Sequence, residues 1–411
     1  MNLFIKSMAG IYIHIPFCKQ RCTYCDFYTQ VAPQMIPDLV NALCREMEIR
    51  SDYNQHAIVD TIYFGGGTPS LLSAAQFDLI FSALFSYFSV APDAEITFEA
   101  NPDDLSPEFF AEIRKLPFNR ISMGIQSFDN NDLKTINRRH TGEQAVDAVR
   151  YAREAGFKSV SVDLIYGLPH QSLESIKPTI DTVLALDPDR LALYHYAHLP
   201  HIFKPQRRID TEAVPGSEEK LDILQYAVHT LTERGYVFIG MDHFAKPDDE
   251  LAVALREGWL QRNFQGYSTY ADCDLVAIGV SSIGKIGSTY SQNERDIDAY
   301  YAAIDAGRLP IMRGYQLNRD DILRRSIIQD LMCRFALDFQ LYESMFGIPF
   351  AQYFKAELAD LQQLAQLGLI TMRGNGLKVT PKGRFLIRNI AMVFDHHLRH
   401  KETTAKYSQT V

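Results

Sequence analysis

Short apolar runs alternate with longer amphipathic stretches over the first 240 residues of the chain. The runs are rich in β-branched and aromatic residues, as expected for strands that are buried on both faces. Helical spacing of apolar residues, as at Leu39, Leu43 and Met47, predicts helices between them. The predicted strands are 10–15, 59–64, 95–99, 120–126, 159–166, 190–196 and 236–239, and the predicted helices are 37–50, 74–88, 107–115, 142–155, 173–186 and 217–234. This βαβα order predicts a parallel sheet or α/β barrel, whose functional edge is the carboxyl end of its strands.

The pattern changes twice further along the chain. Residues 242–292 show little clear helix or strand, and their Asp, Gly, Ser and aromatic content predicts an irregular functional loop region. Helices are then predicted at 320–335, 342–346, 354–367 and 382–394, with a hairpin formed by 369–372 and 377–380. The expected fold class is therefore α/β. A partial barrel over residues 1–315, with a substrate-side loop region at 242–292, precedes a small, mainly helical, winged-helix-like domain at 316–411.

Composition and charge exclude several classes of protein. Of the 411 residues, 46% are hydrophobic and 22% are charged, which is ordinary for a globular protein with a large core. The net charge of −9 and the absence of a long basic stripe argue against nucleic acid as a partner. The chain has neither an apolar run of membrane-spanning length nor a signal-peptide pattern, so we expect a cytoplasmic protein.

Three of the six cysteines form a short motif directly after the first predicted strand, Cys18-x3-Cys22-x2-Cys25. Clustered thiolates select zinc or an iron–sulfur cluster. Structural zinc usually takes four protein ligands, and no second cysteine pair lies nearby, so a four-iron cluster with one open iron is favoured. Zinc and three buried thiols are the alternatives. The other cysteines are interpreted as buried apolar residues: Cys44, Cys273 and Cys333.

Glycines and polar residues follow or end the next strands. In the segment 65–69, consecutive glycines let the backbone approach a ligand, although a tight turn explains them equally well. Glu99 ends the third predicted strand, Gln126 ends the fourth, and Asp163 lies in the fifth. Polar side chains in apolar strands are costly unless they are partnered. Several of them at successive strand ends favour a shared ligand.

The cysteine motif and the glycine segment resemble those of the radical S-adenosylmethionine superfamily. The resemblance implies a partial (β/α)6, TIM-like barrel with a [4Fe–4S] cluster on Cys18, Cys22 and Cys25. The open iron would chelate the methionine part of S-adenosylmethionine. One electron from the cluster would then cleave the sulfonium C–S bond and give a 5′-deoxyadenosyl radical.

The chain is most similar to one family, which contains the oxygen-independent coproporphyrinogen III oxidases and the related haem chaperone HemW. Matching stretches cover almost the whole chain: 11–17, 64–70, 121–126, 163–169, 196–200, 240–244, 263–267 and 380–390. The resemblance implies that Tyr12 lies beside the cluster and the cofactor. It also implies which residues hold the cofactor's methionine and ribose groups: Gly65, Gly66, Gly67, Thr68, Glu99, Gln126, Arg138 and Asp163. A solvated helix charge is the alternative interpretation of Arg138.

Different parts of the chain resemble the two relatives. Residues 1–170 resemble the chaperone branch, through 25–27 and 137–140 and through the short segment before the first strand. Phe27 occupies the position of a further cysteine of the oxidases and is counted with the cofactor-binding positions. From residue 172 onward the resemblance is to the oxidases, and Gln265 and Ile283 match positions that touch a second S-adenosylmethionine. Segment 262–267 lacks the histidine and the tryptophan of the chaperone's haem motif.

The sequence therefore predicts a radical oxidoreductase of haem biosynthesis. It would oxidatively decarboxylate two propionate side chains of coproporphyrinogen III, with hydrogen abstraction at the propionate β-carbon. A tetrapyrrole and an unidentified electron donor are its expected partners. The first alternative is a haem chaperone that keeps the cluster but is no oxidase. A winged-helix regulator is the second, and it lacks the basic face that nucleic-acid binding needs.

Overall fold

A computed structural model of the chain describes residues 7–51, 57–263, 266–270 and 273–400. The chain divides into two compact units. The first comprises Met1–Arg234 and Cys273–Gln316, and the second comprises Gly235–Asp272 and Leu317–Val411. The second unit thus takes in residues 235–272 as well as the C-terminal part of the chain.

The strands of the described residues are numbered in chain order. They are β1 Ser7–Ile15, β2 Ala57–Gly66, β3 Val90–Ala100, β4 Arg120–Gln126, β5 Ser159–Tyr166, β6 Arg190–His195, β7 Val237–Gly240, β8 His243–Ala245, β9 Gln261–Arg262, β10 Tyr267–Ser268, β11 Asp274–Ile278, β12 Ile283–Ile286, β13 Thr289–Asn293, β14 Ile311–Gln316, β15 Ala336–Asp338, β16 Ile370–Arg373 and β17 Gly376–Val379.

The helices are numbered in the same way. They are α1 Ile36–Ile49, α2 Ala74–Tyr87, α3 Pro107–Ile113, α4 Asn130–Thr135, α5 Gly142–Glu154, α6 Leu173–Leu186, α7 Ser217–Glu233, α8 Glu250–Glu257, α9 Ile297–Asp305, α10 Arg319–Arg334, α11 Phe339–Phe346, α12 Phe350–Tyr353, α13 Lys355–Gln366, α14 Pro381–Phe385, α15 Ile387–Met392 and α16 His396–His400.

Strands β1 to β6 form the predicted parallel barrel sheet in sequence order, each hydrogen-bonded to the next. The intervening helices begin where the sequence supplies caps. Ser73, Thr141 and Ser172 each form a capping box at the start of α2, α5 and α6, which satisfies backbone N–H groups that the helix leaves unpaired. The predicted partial barrel is confirmed, and the carboxyl ends of its strands lie along one edge.

The prediction of an irregular region at 242–292 is wrong for much of that stretch. Strand β11 pairs in parallel with β1, and β12, β13 and β14 continue the same sheet as antiparallel strands. Helix α8 and strand β8 also fall in this stretch. The described strands here have only two to five residues. So short a strand offers too few positions to display an alternating pattern.

The second unit has a core of its own, to which segment 235–260 and the C-terminal helices both contribute. Its small antiparallel sheet has the strand order β15-β17-β16. This arrangement agrees with the mainly helical, winged-helix-like domain that the sequence predicts. The helix predicted at 382–394 is divided into α14 and α15, and the loose end predicted from Lys401 lies outside the described residues. Within the described parts of the chain, no helix is both long and apolar enough to cross a membrane.

A buried carboxylate ties α1 to the added strands of the first unit. Glu46 is fully buried, and one oxygen accepts hydrogen bonds from the Arg50 guanidinium at 2.8 Å and the Asn293 amide at 2.9 Å. The other oxygen accepts from the Gly279 backbone N–H at 2.8 Å and the Tyr300 hydroxyl at 2.8 Å. Buried charge of this kind is tolerated because every lone pair has a donor.

Replacing Glu46 with alanine is expected to lower the free energy of unfolding by about 3–5 kcal/mol, because the Arg50 charge and three neutral donors lose their acceptor. Urea unfolding of the two proteins measures the difference. Glu48→Ala is the matched control, since Glu48 lies in the same helix and pairs with Arg45 at the surface. It should change stability by less than about 0.5 kcal/mol. Equal effects of the two substitutions would contradict the role assigned to Glu46.

Candidate functional site

The three cysteines of the motif lie in the loop between β1 and α1, and all three thiols are partly buried. The loop is held by backbone hydrogen bonds from Cys18 N to Gln30 O at 3.0 Å and from Gln30 N to Pro16 O at 2.8 Å. Among the described residues, no three His, Cys, Asp or Glu side chains are grouped as ligands of a single metal ion. A four-iron cluster takes each thiolate on a different iron atom.

Two side chains from later parts of the chain contact the thiols: Thr68 follows β2, and Arg138 follows α4. The Thr68 hydroxyl donates to Cys18 Sγ at 3.3 Å, and the Arg138 guanidinium donates to Cys22 Sγ at 3.6 Å. Burial raises the pKa of the Cys18 thiol, and it raises the pKa of Cys25 to about 12. Thiols of such high pKa become thiolates when a metal centre binds them. The surroundings of the cysteines therefore suit metal ligands rather than reactive free thiols.

Arg138 links the cysteine loop to the strand ends. Besides Cys22, its guanidinium donates to Asn101 Oδ1 at 2.7 Å and to the Gly124 carbonyl oxygen. Its buried Nε–H has no acceptor among the described residues. Arg138 is therefore not the solvated helix charge that was the alternative interpretation. An unmatched buried donor beside the thiols fits a site that receives an acceptor from a bound cofactor.

Glu99, at the end of β3, meets the glycine segment. One carboxylate oxygen accepts from the Tyr63 hydroxyl at 2.9 Å, and the other accepts from the Gly66 backbone N–H at 3.0 Å. Burial and, to a smaller extent, the nearby charge of Asp163 raise the pKa of Glu99 to about 7, although the hydrogen bonds from Tyr63 and Gly66 act in the opposite direction. Tyr12 stacks on Tyr63, with ring centroids 6.3 Å apart. These side chains share one region of the barrel edge.

Close neighbours within the protein explain why residues 65–67 are glycines. A Cβ on Gly66 would lie 2.6 Å from the His14 ring, and its φ of +115° is strained for other residues. A Cβ on Gly67 would lie 2.7 Å from the Phe17 carbonyl oxygen. At Gly65 the nearest atoms would be ring carbons of Tyr12 and Tyr63, each at 3.0 Å. A side chain here would thus disturb the cysteine loop and β1 even before any ligand binds.

Gln126 and Asp163 lie on neighbouring strands of the same edge. Gln126 has a φ of +72°, and the pairing of β4 with β5 shifts in register between Gly124 and Gln126. Such left-handed conformations cost free energy in a residue other than glycine and concentrate at functional sites. Asp163 accepts a hydrogen bond from the Ser122 hydroxyl at 3.2 Å. The barrel therefore brings Glu99, Gln126 and Asp163 to one edge, as the sequence predicts.

The remaining predicted positions differ in their surroundings. Phe27 is 61% exposed and Ile283, in β12, is 37% exposed, so both side chains are accessible. Gln265 lies outside the described residues. Two residues of the site were missed from the sequence: Tyr63, the donor to Glu99, and Asn101, the acceptor of Arg138. Tyr63 is two positions before Gly65 in β2, and residues two apart in a strand lie on the same face. This spacing was the signal that could have predicted Tyr63 as a residue of the site.

Comparison with known proteins agrees with this geometry. The Radical SAM superfamily matches residues 12–183, and the HemN C-terminal domain matches residues 317–386. The oxygen-independent coproporphyrinogen III oxidase of Salmonella typhimurium is 43% identical over 404 residues, which cover 98% of this chain and 88% of that protein. The enzyme of the same name from Pseudomonas aeruginosa is 44% identical and covers 95% of this chain and 86% of that protein.

The chain belongs to the oxygen-independent coproporphyrinogen III oxidase family. A solved structure, coproporphyrinogen III oxidase (HemN) from Escherichia coli, has the same fold with a TM-score of 0.92 and 42% identity, covering 95% of this chain and 91% of that one. Membership of the radical SAM superfamily implies a [4Fe–4S] cluster and S-adenosylmethionine. The partly buried thiols, the unmatched Arg138 Nε–H and the Glu99 carboxylate are donors and acceptors that fit these two groups.

Serine at Cys18, Cys22 or Cys25 is expected to remove most of the bound iron after anaerobic reconstitution, because a hydroxyl is a poor substitute for a thiolate on an iron–sulfur cluster. Cys44→Ser is the control, since the Cys44 thiol lies in α1 and donates to the Leu79 carbonyl oxygen at 3.7 Å. It should retain full iron. Iron and sulfide analysis with the visible absorption spectrum measures both. Full iron content in the Cys22 variant would refute the ligand assignment.

The raised pKa of Glu99 makes a prediction about stability and pH. The folded protein keeps a proton that the unfolded chain releases between the usual carboxyl value of 4.5 and about 7. The stability due to this proton is complete below pH 4.5 and is lost as the pH rises through about 7. In Glu99→Gln this loss, of order 3 kcal/mol, should be absent.

Urea unfolding of the cluster-free protein at several pH values between about 4.5 and 8 tests this expectation. Glu112→Gln is the control, because Glu112 lies on the surface of the same unit and pairs with Lys115. It should keep the pH dependence of the unsubstituted protein. The same pH dependence in Glu99→Gln would show that Glu99 is ionised in the folded protein at acidic pH.

Proposed function

We propose that this protein catalyses the oxygen-independent oxidative decarboxylation of coproporphyrinogen III to protoporphyrinogen IX, in the cytoplasm. Two propionate side chains become vinyl groups. Each conversion removes a hydrogen atom from the propionate β-carbon, releases carbon dioxide and passes one further electron to a one-electron acceptor, for which the oxidised [4Fe–4S] cluster would serve. The observation that carries the proposal is the position of Arg138, which joins Cys22 to the strand-end residues Asn101 and Gly124.

In this proposal Cys18, Cys22 and Cys25 hold a [4Fe–4S] cluster, which supplies the electron that cleaves S-adenosylmethionine. The sulfonium group of that cofactor is positively charged, so the Glu99 and Asp163 carboxylates would stabilise it. The unmatched Arg138 Nε–H would donate to a cofactor oxygen. The residues proposed to hold the first cofactor are Tyr12, Gly65, Gly66, Gly67, Thr68, Glu99, Gln126, Arg138 and Asp163.

The substrate would meet the radical beside the segment that follows β6. There the Tyr196 hydroxyl bonds to His198 Nδ1 at 2.9 Å, and His198 Nε2 bonds to the Thr211 hydroxyl at 3.1 Å. These bonds fix the ring of His198 and with it the backbone of residues 196–200. A second S-adenosylmethionine, held in part by Gln265 and Ile283, is the further element of the proposal.

One observation favours the haem chaperone as a second candidate. Phe27 replaces a cysteine that the oxidases are expected to carry, and its ring is 61% exposed. A phenyl ring neither ligates a metal nor transfers a hydrogen atom as a thiol does. If that cysteine is indispensable to decarboxylation, the protein would bind haem and a cluster without oxidising the porphyrinogen.

Anaerobically reconstituted protein, supplied with dithionite as electron donor, S-adenosylmethionine and coproporphyrinogen III, should form protoporphyrinogen IX and release two molecules of carbon dioxide per substrate. The Cys22→Ser variant is the matched control and should form none. A haem titration of the same preparation runs in parallel. Tight haem binding without product would support the chaperone and overturn the oxidase proposal.

Gln265→Ala is expected to lower decarboxylation while one S-adenosylmethionine still binds at the cluster. A lost buried polar contact costs about 1–3 kcal/mol, roughly a five- to hundredfold loss of affinity. Counting bound S-adenosylmethionine per cluster by equilibrium dialysis separates the two sites. Unchanged turnover and stoichiometry would remove Gln265 from the proposed second site.

A further inference from the structure

Lys220 is a buried lysine without an acidic partner among the described residues. It lies in the first turn of α7, and the residue is 9% exposed. Its ammonium makes neither a hydrogen bond nor an ion pair with any of the described residues. Burial lowers the pKa of Lys220, and no neighbouring carboxylate acts against that effect. The ammonium nitrogen is not one of the fully buried polar atoms that lack a partner, so it still has some contact with solvent. The partial loss of hydration favours the charged group when an anion comes close. An ammonium that has no acidic partner in the protein, and that solvent can reach, is therefore suited to an anion from a ligand.

The side chain of Lys220 crosses the carboxyl edge of the barrel. A Cβ on Gly167, the residue directly after β5, would lie 3.0 Å from Lys220 Cε and 3.1 Å from its Cγ. Gly167 has a φ of +75° and leaves the space that the lysine stem fills. Burial, with a further contribution from the positive charge of Lys220, lowers the pKa of His198, which follows β6. The lysine stem therefore lies at the carboxyl end of β5.

This position adjoins the residues that pack on the cysteine loop. Tyr24, between Cys22 and Cys25, packs against the apolar cluster of Ile136, Ile165, Leu168, Tyr196 and Ile209. Gln206 donates to the Tyr24 carbonyl oxygen at 3.4 Å and to the Ala197 carbonyl oxygen at 3.0 Å. Leu168 and Ala197 are the chain neighbours of Gly167 and His198. The residues beside Lys220 are thus chain neighbours of residues that pack on the cysteine loop.

The segment that contains His198 is positively charged, as Lys220 is. Residues 196–209, which follow β6, contain no Asp or Glu, although the chain as a whole has a net charge of −9. They include Lys204, Arg207 and Arg208. Arg207 donates to the Pro200 carbonyl oxygen at 3.0 Å, which holds it beside the segment that contains His198. An acid-free basic stretch at the barrel edge attracts anions to this part of an otherwise acidic protein.

We propose that Lys220 binds an ionised carboxylate of the substrate, namely a propionate side chain of coproporphyrinogen III. This proposal rests on the proposed function for the identity of the ligand. The ammonium would form a charge-assisted hydrogen bond with the carboxylate, which is stronger than a bond between neutral groups. One propionate held at Lys220 would fix the rotation of the macrocycle in the site. This would select which of the other propionate side chains of the substrate face the radical.

Binding to the anaerobically reconstituted holoenzyme tests the proposal. The probe is coproporphyrin III, a stable fluorescent tetracarboxylate, and its tetramethyl ester is the matched ligand without carboxylates. Lys220→Met should weaken coproporphyrin III binding about ten- to a hundredfold and leave ester binding unchanged. Lys115→Met removes one positive charge from an exposed pair with Glu112 and should leave both affinities unchanged. Equal affinity of the unsubstituted protein and Lys220→Met for coproporphyrin III would overturn the proposal.

Two further measurements exclude a merely structural role. Methionine fills the space of the lysine stem without a buried charge, so the melting temperature of Lys220→Met should stay the same or rise. Lys220→Arg keeps the charge and should retain a preference for the acid over the ester. A lowered melting temperature with equal weakening of both ligands, in the Met and Arg variants alike, would refute the proposal. Absence of decarboxylation by the unsubstituted protein would refute the proposed function alone, because the binding comparison needs no turnover.

Discussion

The close approach of two backbone segments holds the candidate site together. The Gly67 N–H donates to the Ile15 carbonyl oxygen at 2.7 Å, and a Cβ on Gly67 would lie 2.7 Å from the Phe17 carbonyl oxygen. Only glycine permits this contact between the end of β2 and the start of the cysteine loop. Because of it, the Thr68 hydroxyl reaches Cys18 and the Gly66 N–H reaches Glu99. The cysteine loop, the glycine segment and the third strand end thereby become one site.

Arg138 makes the second connection, from the opposite side of the loop. Its guanidinium reaches Cys22, Asn101 and the Gly124 carbonyl oxygen, and Asn137 donates to the Arg21 carbonyl oxygen at 2.8 Å. The cysteine loop is thus attached both to β2 and to the segment after α4. A loop anchored at two places keeps its thiols in position before any cluster binds, which reduces the conformational entropy lost on binding.

The chain resembles the oxidases over its whole length, and the difference that affects the candidate site is local, at Phe27. Identity of 43% over 404 residues and a TM-score of 0.92 show a shared architecture. Phe27 stands two residues after Cys25, the last cysteine of the motif, and its exposed ring changes the chemistry available there. The acid-free segment 196–209, which follows β6, and Lys220 lie at the barrel edge and suit an anionic ligand. Tetracarboxylate porphyrinogens and haem both carry propionates, so this positive charge suits either candidate function.

The sequence by itself determined the barrel strands, the cysteine motif and the polar strand ends, because each is a local pattern. The short apolar runs of β1 to β6 and the spacing of Cys18, Cys22 and Cys25 can be recognised without knowledge of the rest of the fold. The short strands β11 to β13 were missed, because their stability comes from pairing with β1 and with each other rather than from their own periodicity. Only the tertiary structure showed that Arg138 is a connector and that Lys220 is buried without an acid. Burial and pairing are properties of residues that are distant in sequence, and no local pattern contains them.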